Sequence, residues 1–232
     1  MKLSIVVPCY NEAKNIPLIL ERFAAVLGRP DIEVVIVDNN SKDESAAVLK
    51  ELLQKYGFAR SVFESRPGYG SAVLAGLRAA KGDYLGWTHG DLQTPPADVL
   101  RALEIIEKDG NKSDVYAKGF RHGRPFTDTV FTLGMGLFET LYFGRALFDV
   151  NGQPNIFHRT FFEAWQDPPT DFALDLYALY LARKRGLRVL RFPVIFPKRL
   201  HGESTWNRGW GDRWKFIKRT MSFSVRLKKE IA

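Results

Sequence analysis

One cysteine, Cys9, and four histidines are the only thiol and imidazole ligands in this chain of 232 residues. A lone cysteine excludes an internal disulfide and any cysteine-based zinc cluster, and it suits a reducing compartment. The histidines at 89, 122, 158 and 201 show no metal-ligand spacing, and only His89, two residues before Asp91, stands beside another ligating side chain. Long apolar runs are also missing. The longest, Thr129 to Gly144, falls short of the ~20 residues that span a bilayer and contains Glu139, so a buried or interfacial helix is expected there. Pro8 and Glu12 interrupt the apolar run after Lys2, which excludes a secretory signal pattern. There is no G-x-x-x-x-G-K-[ST] loop and no G-x-G-x-x-G opening the first helix, so the usual glycine-rich phosphate cradles are absent. No internal repeat, low-complexity stretch or linker interrupts the chain.

The chain is 45% apolar and 13% aromatic, enough for a core that needs no staple. Its net charge of +8 is unevenly placed. Residues 1–182 hold 19 basic and 23 acidic side chains, whereas residues 183–232 hold 15 basic and 3 acidic ones. A mildly acidic body with a strongly basic end points to phosphate, nucleic acid or an anionic membrane as partner.

Strand and helix signals alternate through the first hundred residues. Apolar β-branched runs at 3–8, 33–37, 60–64, 84–87 and 114–117 predict strands. Helices are expected over 15–27, from 41–43 through Tyr56, over 71–80 and over 95–108. This alternation predicts an α/β fold with a mostly parallel sheet and right-handed crossovers. Beyond Gly119 come a Gly- and Arg-containing loop, the apolar segment to Phe148, a helix over 171–184 and an extended segment over 187–196. Pro193 makes that segment an edge or bent strand. Trp210, Trp214, Ile217, Met221 and Val225 recur three or four residues apart, predicting a C-terminal amphipathic helix.

Open α/β sheets bind ligands beyond the carboxyl ends of their strands. Three polar turns fall there: Pro8-Cys9-Tyr10-Asn11-Glu12, then Asp38 to Asp43, then His89 to Pro96 with Asp91 and Gln93. Each alone is ordinary turn chemistry; together at equivalent strand ends they predict a polar crevice. The Gly68-Tyr69-Gly70 turn before a helix is either an anion-binding N-terminus or a tight turn.

The ordered series V-V-P-C-Y-N-E, V-D-N-N-S-K-D-E-S, G-Y-G-S-A and D-L-Q-T-P-P resembles the family 2 nucleotide-sugar glycosyltransferases. Within them it is most similar to the dolichol-/polyprenyl-phosphate mannose or glucose synthase branch, over roughly residues 3–205. The resemblance implies a GT-A-like Rossmann-type domain over 1–205, followed by the basic amphipathic helix at 206–232. It further implies inverting transfer of one sugar from a GDP- or UDP-sugar to a polyprenyl phosphate. Pro8, Tyr10, Asn11, Glu12, Asp38, Gln93, Arg199 and Ser204 match donor-binding positions, and Arg121 an acceptor-binding one. Asp91 matches the second acid of the D-x-D motif that holds Mg²⁺ or Mn²⁺ on the donor diphosphate. Asp175 aligns with the carboxylate that would serve as base, with Asp171 one turn earlier.

The departures are as informative. His89 stands where the family has Asp; imidazole can ligate Mn²⁺ but suits Mg²⁺ poorly. Asn39 replaces the second acid of D-D-G-S, Thr205 the lysine of R-x-x-G-x-S-K, and G-Q-P-N-I-F the central G-F-R stretch. Two other readings follow: transfer to a sugar hydroxyl in cell-surface glycan synthesis, or a catalytically silent nucleotide-sugar-binding protein, which His89 motivates. A lipid phosphate is already an anion and needs no base, whereas a hydroxyl does. Trp206, Trp210, Trp214 and Phe216 beside lysines and arginines suit an anchor on anionic lipid. The expectation is therefore a cytoplasmic protein held peripherally on the inner face of the cell membrane, with nucleic acid the least favoured partner.

Overall fold

The computed structural model describes residues 2–196 and 210–231. In chain order the elements are β1 (Leu3–Cys9), α1 (Asn15–Val26), β2 (Ile32–Asp38), α2 (Ser45–Leu52), β3 (Ala59–Phe63), α3 (Tyr69–Ala79), β4 (Tyr84–Trp87) and α4 (Pro96–Lys108). There follow β5 (Val115–His122), α5 (Phe126–Phe143), β6 (Asn155–His158), α6 (Arg159–Glu163), α7 (Leu174–Lys184), β7 (Arg188–Ile195) and α8 (Trp210–Ile231). The strands form one seven-stranded sheet in the order β3-β2-β1-β4-β6-β5-β7. All neighbouring pairs are parallel except those of β6, which runs antiparallel between β4 and β5.

Period-two alternation sends the two faces of the sheet to different helices. Leu3, Ile5 and Val7 of β1 pack with Ile16, Leu20 and Phe23 of α1 and with Val99, Leu103 and Ile106 of α4. Val6, Val35, Val37 and Trp87 pack instead with Leu74 and Leu77 of α3, Leu174 and Ala178 of α7, and Phe223 and Leu227 of α8. The result is a three-layer α/β/α arrangement in which β1, β2 and β4 are covered on both sides, as continuous apolar runs require.

Three sequence expectations need correction. Helix α2 stops at Leu52 rather than Tyr56, where the chain turns toward β3 ahead of Gly57. Strand β5 runs on to His122, so Arg121 lies in a strand paired with Val194 and not in a loop. Strand β6 and helix α6 were not expected, because a four-residue strand gives no readable period. The apolar segment, expected as a buried or interfacial helix, is one helix, α5, and Phe126, Val130, Leu133, Leu137 and Leu141 are all exposed, which excludes the buried alternative. Pro193 does lie on an edge strand, since β7 ends the sheet. The boundary expected between residues 205 and 206 lies outside the described residues.

Gly86 shows how tightly β6 is seated. A Cβ there would lie 2.3 Å from the Asn155 carbonyl oxygen and 2.8 Å from an Ile156 side-chain carbon. Gly86→Ala is expected to cost about 3 kcal/mol, a fall in Tm of roughly 6–12 °C. Gly28→Ala, with open space around it, should leave Tm unchanged; thermal melts showing equal effects would contradict this packing.

Candidate active site

The turn after β1 is held by the turn after β2. Ser41 and Ser45 hydroxyl oxygens accept from the backbone N–H of Asn11 and Glu12, each at 3.0 Å. Asp43 accepts from Ala13 N–H at 3.1 Å, and the Asn11 side-chain oxygen from Lys42 N–H at 2.7 Å. Asn11 holds a left-handed φ of 55° within this clamp, a conformation asparagine tolerates better than most residues.

Asn39, which stands where the resemblance has an acid, ties in the third turn. Its amide donates to the carbonyls of Glu64 (3.2 Å) and Arg66 (2.7 Å), while its oxygen accepts from Gly68 N–H at 2.8 Å. A carboxylate only accepts, so aspartate could not make all three bonds. The neighbouring Gly70 is required for close approach, because a Cβ would lie 2.5 Å from the Thr170 carbonyl carbon. Ser71 N–H donates to Thr170 O at 2.9 Å. Of the two readings of Gly68-Tyr69-Gly70, tight packing is therefore the one these contacts express.

These turns open into one cleft of about 1810 Å³. Pro8, Tyr10, Asn11, Glu12, His89, Asp91, Gln93, Arg121, Asp171 and Asp175 all line it. Asp91 is buried, with its carboxylate accepting from Gln93 N–H at 3.1 Å. His89 meets Phe196 edge-on at 5.6 Å. Asp38 is brought to the end of β2 but is not among the lining residues; its carboxylate accepts from Ser41 N–H at 3.0 Å. Arg199 and Ser204 lie outside the described residues. Cys9 also lines the cleft, but burial first, and then the charges of Glu12 and Asp38, push its thiol well up and leave it no nucleophile.

Arg121 is nearly buried against Asp149: its Nε donates to the carboxylate at 2.8 Å, and Asp149 also accepts from Arg121 backbone N–H at 2.8 Å. Burial opposes Asp149 ionisation, yet the Arg121 charge and hydrogen bonds hold its carboxyl below the usual range. Asp175 sits deeper. One of its oxygens accepts from Trp87 Nε1 at 3.0 Å and lies 3.4 Å from the Asn155 amide and 3.5 Å from the Tyr69 hydroxyl. Burial pushes its carboxyl up, and the nearby Lys118 charge opposes that shift. Lys118 is itself fully buried, with Nζ donating to Val150 O, Gly152 O and Asn155 Oδ1 at 2.6–2.7 Å.

Several lining residues were not singled out as site residues by the sequence. Arg124 donates to the Thr132 hydroxyl at 2.8 Å and adds a second cation beside Arg121. Tyr69 and Phe172 stack with ring centroids 5.0 Å apart, making an aromatic wall. Glu139, 4% exposed on α5, also faces the cleft. Only its position within an apolar run could have marked it, and that run was read for membrane length instead.

Glu139 gives a stability test. Burial alone pushes its carboxyl from 4.5 to about 8. The folded state therefore holds a proton that the unfolded state releases between those values, and stability falls as pH rises through that window. Glu139→Gln should melt near the wild-type temperature at pH 4.5 and gain over it up to about pH 8, by on the order of 1 kcal/mol per pH unit. A constant difference across pH 4.5–8 in thermal melts would contradict the assignment.

Residues 4–166, more than half of the chain, match the sequence model of the family described as Glycosyl transferase family 2. An undecaprenyl-phosphate 4-deoxy-4-formamido-L-arabinose transferase of Sodalis glossinidius is 34% identical over 112 residues, 47% of this chain and 34% of that protein. A dolichol-phosphate mannosyltransferase of Pyrococcus furiosus is 33% identical over 124 residues, 51% of this chain and 34% of that one. The matched region thus spans about a third of the length of these curated relatives. Among solved structures, glucosyl-3-phosphoglycerate synthase of Mycobacterium tuberculosis, crystallised with Mn²⁺, UDP and glucosyl-3-phosphoglycerate, superposes with a TM-score of 0.71. That likeness covers 97% of this chain and 80% of the other at 18% identity, and it identifies the fold as GT-A. The clamped turns, the cleft at the strand ends and the matched span have one reading: the chain belongs to glycosyl transferase family 2.

Proposed function

We propose that this protein transfers one sugar, with inversion, from a nucleoside-diphosphate sugar to a polyprenyl phosphate. The observation that carries the proposal is the cleft itself, in which the polar turns after β1 and β4 share one volume with an apolar wall formed by α5, α7 and α8. Pro8, Tyr10, Asn11, Glu12 and Gln93 would receive the donor, and Asp38 would act from beneath by fixing the Ser41 turn. Arg199 and Ser204 are proposed donor-phosphate ligands on the resemblance alone. Arg121 would meet the acceptor phosphate; its charge is already offset by Asp149, so Arg124 is added as its partner.

Asp91 and His89 fit a divalent cation that the donor diphosphate completes. Among the described residues no three carboxylate, imidazole or thiolate groups converge on one point. A closed protein cage is therefore not the fit, but one carboxylate with substrate oxygens is the usual arrangement for Mg²⁺ or Mn²⁺. When bound there, the cation would neutralise charge on the leaving diphosphate. The relatives' names, which specify undecaprenyl phosphate and dolichol phosphate, support the lipid acceptor.

Asp91→Ala is expected to lower turnover at least a hundredfold with either metal. Asp175 separates the acceptor readings. If the acceptor is a phosphate, no base is required, and Asp175→Asn should lower kcat less than tenfold. If it is a hydroxyl, loss of a positioned base costs 10²- to 10⁴-fold, and that result would favour glycan synthesis. Nucleotide binding without turnover, whatever the metal and acceptor, would instead identify a silent binding protein.

Membrane association has structural support of its own. The exposed stripe of α5 lies on a helix packed against α8, whose Trp214, Met221 and Val225 are also exposed. Trp214, Met221 and Val225 of the stripe thus face outward, while Phe223 and Leu227 take the core. Lys218, Arg226, Lys228 and Lys229 are exposed on the same helix. No described helix is long and apolar enough to cross a membrane. The contact proposed is interfacial, and the cytoplasmic leaflet is its proposed side. Cosedimentation should favour phosphatidylserine vesicles over phosphatidylcholine ones, and Leu137→Glu with Leu141→Glu should weaken binding at least tenfold. Equal failure of the wild type with both vesicles would overturn the membrane reading.

A further inference from the structure

The far end of the cleft is a wall that the donor turns leave unused. Phe131, Met135 and Glu139 recur four residues apart on α5, and all line the cleft together with Leu176 of α7 and Phe223 of α8. Glu139 is the acid of this group of apolar side chains. It is 4% exposed and makes no hydrogen bond or ion pair with another described residue.

Among the described residues, several charged groups on the packed elements are engaged elsewhere. On α8, Lys228 Nζ donates to Tyr142 O at 2.6 Å and lies 4.2 Å from the Tyr142 ring centre, and Arg226 lies 3.4 Å from Asp171. At the start of α7, Asp175 is held by Trp87. In the segment after α5, Asp149 is paired with Arg121. Along α5 itself, Asp128 lies eleven residues away, about 16 Å by the helical rise. Arg124 is taken up by Thr132, two turns before Glu139. A carboxylate in an apolar wall without a counter-charge is strongly disfavoured, and such a group holds its proton instead. The direction of its titration agrees: burial alone acts on it, and pushes it up.

We infer that Glu139 is a specificity residue of the acceptor arm, one that admits an apolar acceptor segment only as the neutral carboxylic acid. The inference rests on the lipid-acceptor reading above and goes beyond it. An isoprenoid chain cannot hydrogen-bond a carboxylate, and lying against Glu139 it would displace the water that solvates the ionised form. A hydroxylated acceptor would bond either form, so its binding would be far less sensitive to the proton. Acceptor binding and donor binding should consequently respond to pH in different ways, with Glu139 as the cause.

Calorimetric titration of the full chain with geranyl phosphate at pH 7.5 and 9.5 tests this. The phosphate has a second pKa near 6 and is a dianion at both values. With a midpoint at about 8, the wild type should bind about 25-fold more weakly at pH 9.5. Glu139→Gln should bind equally within about twofold at both, and UDP and GDP affinities should not separate the two proteins. Glu139→Leu should match the wild type at pH 7.5 and stay flat. Parallel pH losses in wild type and Glu139→Gln, or no loss in the wild type, would overturn the inference while leaving the lipid acceptor standing. Loss of geranyl phosphate by Glu139→Leu with nucleotide binding intact would overturn it too, by revealing a direct contact. A wild type that binds nucleotide but no geranyl phosphate at either pH would remove the lipid-acceptor reading, and this inference with it.

Discussion

A buried lysine organises the centre of this molecule, burial pushing its amine down from the usual lysine range while the Asp175 charge opposes that shift. Lys118 enters the sheet from β5 with no exposure, and three oxygens from residues 150–155 close around its Nζ. A polar amine at that depth needs hydrogen-bond partners, and the segment that supplies those oxygens returns to the sheet. It does so as β6, wedged antiparallel between β4 and β5. Asn155, which gives one of the three oxygens, also approaches Asp175, and Asp175 holds Trp87 and α7 to the sheet. The floor of the cleft, the second half of the sheet and the first turn of α7 therefore share one electrostatic requirement.

The front of the cleft depends on a different economy of polar groups. Backbone N–H groups in the turn after β1 find side-chain oxygens in the turn after β2, and Asn39 extends the chain of bonds to the turn after β3. Loops that would be mobile alone are thus cross-braced before any substrate arrives. Preorganisation of this kind suits a reaction whose main demand is placing a diphosphate and an acceptor in line, since orientation then costs little at the moment of transfer.

The parallel half of the sheet was legible because its strands are continuous apolar runs separated by helices with clear period and capping. The three polar turns were legible for the same reason: they sit where those runs stop. What the sequence hid is long-range. Nothing near Lys118 says that it will be buried, because its partners lie more than thirty residues downstream. Asn39 read as a missing acid, and its use as a two-way hydrogen-bonding amide emerges only when the third turn is in place. Glu139 read as an interruption in an apolar stretch. The helix around it then turned its leucines to solvent and its acid inward, an inversion that hydropathy alone could not reveal. On α8 the spacing was legible, and Trp214, Met221 and Val225 are exposed, as an interfacial helix requires.

The central claim is that a GT-A cleft here joins a nucleotide-sugar site to a lipid-phosphate acceptor. Mass-spectrometric analysis of the product formed from GDP- and UDP-sugars with undecaprenyl phosphate in anionic vesicles and Mn²⁺ tests it most directly. The expected product is a polyprenyl-phosphate-linked monosaccharide, with the anomeric configuration of the donor inverted. Release of free sugar and nucleotide without any lipid-linked product, or transfer confined to hydroxyl acceptors, would contradict it.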